Sequence, residues 1–206
     1  MTTFRSVESL AEFVESLPAA PRRIVGIAGS PGAGKSTIAE ALVARLDSAV
    51  VLPMDGYHFP QARLVELGRR DRMGAPDTFD VDGFLATLTA LLSNSGEPVN
   101  VPGFDREIEE PVPAAITIPP ELLTVVAEGN YLLLGSGGWE RVAPLLDVTV
   151  FVGVDRGIRQ QRLIERHVRF GKSPEDARAW ALGPDEHNAR TIEATAARAD
   201  HRIELA

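Results

Sequence analysis

Residues 29–37 read GSPGAGKST, preceded by RRIVGIA (22–28) and followed by IAEALVARL (38–46). The leading run is apolar and of strand length, and Ile38, Leu42 and Leu46 recur at the spacing of one helix face. A glycine-rich turn between a buried strand and a helix, with Lys35 and Ser36 in the helix's first turn, is the G-x-x-x-x-G-K-[ST] pattern in the setting that gives it meaning. Gly29, Gly32 and Gly34 let the backbone approach a ligand closely, with Ser30 and Ala33 between them and Thr37 behind. Successive N–H groups at the helix N-terminus then favour an anion. Lys35 adds charge for outer phosphates, and the Ser36 hydroxyl suits Mg²⁺, which keeps most of its waters. The stretch is expected to hold a nucleoside triphosphate.

Outward from this loop, the 206 residues, 44% of them apolar, suit one domain (1–206) rather than two. No apolar run reaches membrane-spanning length, and the N-terminus lacks a basic segment ahead of an apolar core. No membrane association is expected, and with no cysteine the chain is compatible with the cytoplasm. A net charge of −8 argues against broad nucleic-acid binding. Residues 1–18, with Val7, Leu10, Ala11, Val14 and Leu17 at helical spacing, predict a helix packed on the domain.

AVVLPMD (49–55), LLTVVAE (122–128) and DVTVFVGV (147–154) read as buried strands. A short helix is expected near 60–68, and Asp80 is an N-cap candidate for a helix with Phe84, Leu88 and Leu91 on one face. Six prolines in 98–120 predict loop and short strands. An arginine-rich helix (155–170), a helix capped by Ser173 and Pro174, a last helix near 185–198 and a final strand at HRIEL complete the pattern. Strands alternating with helices imply a parallel α/β sheet.

Ligands bind beyond the carboxyl ends of strands in such sheets, where Asp55 and Glu128 both stand. Asp55 could accept the proton of an attacking hydroxyl, although Asp-Gly pairs also mark turns. Glu128 could hold Mg²⁺, or cap a turn with Gly129. Residues 155–172 carry six basic and two acidic side chains. At 100° per residue, Arg159, Arg162, Arg166 and Arg169 fall within an arc of about 80°. A helix face of guanidinium groups suits phosphate oxygens, so this segment is a candidate lid, with two of the four on the nucleotide. His58 and His167 suit hydrogen bonding better than metal binding, and Trp139 and Trp180 read as packing.

Beyond the phosphate loop, PMDGYHF, GAPDTFDVDGF, VPGFDREIEEPVP, AEGNYLLL, the arginine helix and NARTIEATAARADHRIEL follow in order. With these, the chain resembles the uridine kinase, phosphoribulokinase and pantothenate kinase group of P-loop kinases, nearest to small bacterial members assigned to fructose transport systems. The resemblance implies a P-loop NTPase-type sheet with helices on both faces and a helical lid (155–172). It also implies Asp55 as general base, Lys35 on the transferred phosphate, and Ser36 and Glu128 at Mg²⁺. Arg162 and Arg166 would close over ATP with Arg169 near, and segments 56–80 and 98–120 would flank the acceptor, with Tyr57, His58, Arg106 and Asn188 as its contacts.

The expected activity is phosphoryl transfer from ATP to an alcohol of a small molecule, such as a sugar like fructose. A nucleoside or pantothenate kinase is the alternative within enzymes, although the run around Asp55 differs from uridine kinases. A nucleotide switch is the alternative from another class. Against it, the guanine-reading N-K-x-D tetrapeptide does not occur, and DVDG (80–83) opens an amphipathic helix. No heptad or interface stripe indicates an oligomeric state.

Overall fold

The computed structural model describes residues 1–205. Six parallel strands form one sheet. Its centre holds β2 (Arg23–Ala28), β6 (Thr124–Gly129) and β7 (Val148–Val152), with β3 (Ala49–Pro53) at one edge. Every residue of β6 and β7 is buried, as continuous apolar runs covered on both faces require. The opposite edge is β8 (His201–Ile203) and then β1 (Thr2–Phe4).

That last strand corrects the reading of residues 1–18 as helix alone. Thr2–Phe4 pair in parallel with His201–Ile203, and α1 (Val7–Ser16) begins only after Ser6, whose side chain caps it. Three residues are too short to show a period of two, and only the neighbouring strand makes them extended. α1 and α2 (Lys35–Val43) cover one face through Leu10, Val14, Ile38 and Leu42. α4 (Val81–Ser93) covers the other through Phe84, Leu88 and Leu91, beside Tyr131 and Trp139.

The caps were local and hold. Asp80 accepts from the Gly83 N–H at 2.9 Å, and Ser173 accepts from the Asp176 N–H at 3.1 Å ahead of α6 (Pro174–Leu182). The short helix is α3 (Gln61–Glu66), and the arginine helix is α5 (Arg156–Arg169). α7 (Pro184–Glu193) is shorter than expected, with a separate 3₁₀ turn at Ala196–Arg198 before β8.

Residues 98–120 form an antiparallel hairpin, β4 (Val99–Asp105) and β5 (Glu110–Ile118), whose register shifts between Val101 and Gly103 around Pro102. Prolines survive there because the ribbon has two free edges and a bulge. The hairpin sits on the 3₁₀ turn Met54–Tyr57. A Cβ on Gly56 would lie 2.3 Å from the Pro102 carbonyl oxygen, so only glycine permits that approach. The turn holding Asp55 and the ribbon holding Arg106 are thereby brought together.

Candidate active site

The loop from 29 to 34 closes at the N-terminus of α2. Gly34, with φ 95° and ψ 20°, is the cap residue and offers no side chain, so the first-turn N–H groups stay open to a ligand. Gly32 has φ 79°, and a Cβ there would stand 2.8 Å from the Arg159 carbonyl oxygen. The loop is thus packed against α5. Lys35 turns inward: its Nζ donates to Asn130 Oδ1 at 2.7 Å and to the Ser30 carbonyl at 3.3 Å. Burial pushes its pKa down, against the opposing pull of Glu128 and Asp55. Ser30 is wholly buried and donates its hydroxyl to Glu193 at 2.6 Å, which leaves its backbone as the part available to phosphate.

Two hollows flank the loop. The inner one, about 140 Å³, is lined among others by Lys35, Ser36, Asp55, His58, Glu128 and Arg166. The outer one, about 710 Å³, runs past Ala33, Gly34, Thr37, Val154, Ile158 and Arg162. The strand ends account for the inner set. β3 pairs with β6 so that Pro53 lies opposite Glu128, which delivers Asp55 and Glu128 to the same rim. Ser36 donates to Glu128 at 3.0 Å, and Arg106 donates to Asp55 at 2.8 Å.

Burial raises the pKa of Glu128, only partly answered by Lys35. Asp55 goes the other way. Burial opposes its ionisation, but Arg106, then His58, Lys35 and Arg166, outweigh it and hold the carboxyl below the usual aspartate range. Burial keeps His58 below the ordinary histidine value. Its Nδ1 meets the Asp55 carbonyl at 2.8 Å; since a carbonyl only accepts, Nδ1 carries the proton and Nε2 of the neutral ring is an acceptor.

The four arginines of α5 do not share one task. Arg159 is 3% exposed and pairs with Glu186, which also accepts from Gln160 at 3.1 Å and Arg156 at 2.8 Å. Its charge belongs to α7, and its face is covered by the phosphate loop. Arg162 Nη1 lies 3.7 Å from where a Cβ of Gly34 would stand, on the outer hollow. Arg166 enters the inner hollow, and its guanidinium has no hydrogen bond or ion pair to any described residue; burial, then Arg106, push its pKa down. Arg169 is exposed.

Tyr57 is taken out of the acceptor pocket. It is 5% exposed, packs on Phe84 and donates to Thr87 at 2.8 Å, its pKa raised by burial to about 12. In a 3₁₀ turn the neighbour of an inward residue can point away from it, and here it points into the core. His58 stays in the pocket, tilted against the rings of Phe79 (centroids 3.9 Å apart) and Phe104 (4.8 Å), and Arg106 and Asn188 also line it. Trp139 is wholly buried, as expected, but Trp180 lines the pocket with Lys172 over its ring at 5.0 Å.

Asn130 and Arg70 line the pocket without standing out in the sequence. Asn130, the partner of Lys35, follows Glu128-Gly129 and was within reach of the strand-end rule. His167 paired with Asp185 at 2.7 Å, and Arg70 paired with Glu109 at 2.7 Å, join elements far apart in sequence.

The sequence profile of the Phosphoribulokinase / Uridine kinase family matches residues 24–203. The chain belongs to this family. A solved "putative fructose transport system kinase" from Silicibacter sp. TM1040 superposes with a TM-score of 0.88 at 36% identity, covering 96% of this chain and 98% of that one. The "ATP-dependent kinase-like protein notR'" of Aspergillus versicolor is 40% identical over 133 residues, 61% of this chain and 77% of its own length. The "Putative uridine kinase C227.14" of Schizosaccharomyces pombe is 34% identical over 171 residues, 77% of this chain and 72% of its own length. This chain is therefore a P-loop kinase, an ATP-dependent phosphotransferase with an alcohol acceptor.

Membership implies ATP, and typically Mg²⁺. The residues fit both. The uncapped loop and Lys35 suit phosphates, and the hydroxyl of Ser36 beside the Glu128 carboxylate supplies two hard oxygen donors. Among the described residues no three His, Cys, Asp or Glu side chains form a metal-holding group. No helix among them is long and apolar enough to cross a membrane.

Proposed function

We propose that the kinase transfers the γ-phosphoryl group of ATP to a hydroxyl of a small, sugar-like acceptor. The observation that carries this is the convergence of Lys35, Ser36, Asp55, Glu128 and Arg166 on one inner hollow beyond the strand ends. Asp55 orients the acceptor hydroxyl and takes its proton. The hydroxyl oxygen bonds to the γ-phosphorus, the bond from that phosphorus to the bridging oxygen breaks, and ADP leaves with the electron pair. Lys35 and Arg166 neutralise charge on the transferring group, and Arg162 reaches the outer phosphates. Ser36 and Glu128 would hold Mg²⁺, which would supply further charge neutralisation when bound. His58, Arg106 and Asn188 meet the acceptor, while Phe104, Phe170 and Trp180 exclude water, the competing acceptor. The arginine helix serves as the lid through its C-terminal half.

The similarity to a "putative fructose transport system kinase", at 36% identity over 96% of this chain, supports a sugar-class acceptor over a nucleoside or pantothenate. A nucleotide switch finds no support in a family of kinases. The test is ADP release by the purified protein against sugars, sugar acids, nucleosides and pantothenate. Transfer to a sugar-class compound is expected, and turnover confined to a nucleoside or pantothenate would overturn the assignment.

A further inference from the structure

We infer that the acceptor carries an oxyanion, a carboxylate or a phosphate, a few bonds from the hydroxyl that is phosphorylated, and that Arg106 binds it. This rests on the reading of Asp55 as the base. Arg106 follows β4 at the turn of the hairpin, and Nη2 alone of its guanidinium is committed, to Asp55 Oδ2 at 2.8 Å. The other N–H groups of the fork have no partner among the described residues, and the side chain lines the inner hollow. A guanidinium held at one corner by Asp55, half-buried at the lining of the hollow and with its remaining donors unpaired, is suited to a second oxyanion.

Orientation of Asp55 alone would not need such a residue. A neutral amide could fix the carboxylate without opposing protonation, whereas Arg106 is the strongest of the groups that hold Asp55 ionised. A cation resting on the base is a hindrance unless something draws it off. An acceptor oxyanion on the free corner takes up part of that charge and returns basicity to the nearer oxygen. Water, lacking an oxyanion, leaves Asp55 masked. One guanidinium then spans the reacting hydroxyl and the anion, which fixes them a few bonds apart.

The other charges leave this role to Arg106. Lys35 and Arg166 stand on the side of the phosphate loop and α5, where ATP phosphates answer them. Arg70 is spent on Glu109 at 2.7 Å, and Asp185 on His167 at 2.7 Å, so neither acid faces an incoming anion unpaired. His58 Nε2 accepts from a further hydroxyl, and the Asn188 amide lines the same space, which makes the acceptor a hydroxylated acid rather than a bare one.

The experiment measures ADP release by the full-length protein with D-fructose and D-sorbitol (neutral), D-gluconate and D-glycerate (carboxylates) and D-fructose 6-phosphate (phosphate). An acidic probe is expected to exceed the neutral ones in kcat/KM by about 10- to 100-fold, the usual worth of a hydrogen bond to a charged group. Comparison of the carboxylates with the phosphate identifies the source of the oxyanion. Arg106→Gln should collapse the ratio of acidic to neutral probes toward one, with the acid's KM rising more than kcat falls. Arg106→Lys, which keeps the charge, should restore part of it. Thermal shift with a non-hydrolysable ATP analogue shows whether each variant is folded and whether the acid still binds. Equal use of neutral and acidic probes, or a ratio that survives Arg106→Gln, overturns the inference and leaves the kinase reading intact. Transfer to no probe, with ATP still bound, overturns both.

Discussion

Replacing Asp55 by asparagine isolates the proton-accepting function. The side chain keeps its shape, and its Oδ1 still accepts from Arg106, whose Nη2 now lies 2.8 Å from the carboxylate. What disappears is the charge and the capacity to take a proton. General-base assistance contributes about 10²–10⁴-fold, which is roughly 3–5 kcal/mol at 1.36 kcal/mol per decade. Weakening one charged hydrogen bond to a neutral one costs about 1 kcal/mol of stability, or about 2–4 °C in Tm for a chain of this size. ATP affinity should hold or tighten slightly, because Asp55 adds negative charge beside Lys35 and Arg166 and touches no part of the loop. The pH dependence follows the same geometry. Because the folded pKa of Asp55 is depressed, the pair with Arg106 stabilises the fold above the unfolded aspartate value and is lost as pH falls through the folded one. The acid limb of kcat/KM should therefore lie below the ordinary aspartate range in the parent and move up in Arg106→Gln. The assays are coupled ADP release for transfer and fluorescence titration of an ATP analogue for binding. Near-normal transfer by Asp55→Asn would refute the reasoning and make Asp55 a turn residue. Loss of Mg²⁺-dependent nucleotide binding together with transfer would instead make it a metal ligand.

Lys35→Ala should abolish transfer and weaken ATP binding, since Nζ is the loop's one side-chain cation in the inner hollow; titration with an ATP analogue checks this, and parental affinity would count against it. On binding that analogue, hydrogen exchange should slow mainly across 164–172. The turn carrying Arg159 and Leu163 is already pinned by Glu186 and the phosphate loop, so equal slowing along all of α5 would show that the whole helix moves. Tyr57→Phe should lose about 1 kcal/mol of stability, the worth of its bond to Thr87, with the acceptor KM unchanged. A raised KM there would return Tyr57 to the pocket.

The sequence alone determined what is local. The strand–loop–helix around GSPGAGKST, the caps at Asp80 and Ser173, and the apolar strands that lead to Asp55 and Glu128 each depend on residues within a few positions of one another. Local chemistry settles them, and the rule that parallel sheets bind ligands at their carboxyl ends carries them to one rim. What only the tertiary structure decided involves separation along the chain or along a helix axis. Arg159 and Arg166 share an angular sector of α5, but seven residues at 1.5 Å each set them about 10 Å apart along it. Different neighbours meet them: Glu186 for the first, the inner hollow for the second. Asp55 and Arg106 stand 51 positions apart and meet because Gly56 lets the hairpin down onto the 3₁₀ turn. That same turn sends Tyr57 into the core. β1 is a strand only because β8 offers an edge. A helical wheel or a strand pattern fixes which way a side chain points from its own axis; the sheet order and the packing of loops on it fix what it meets there.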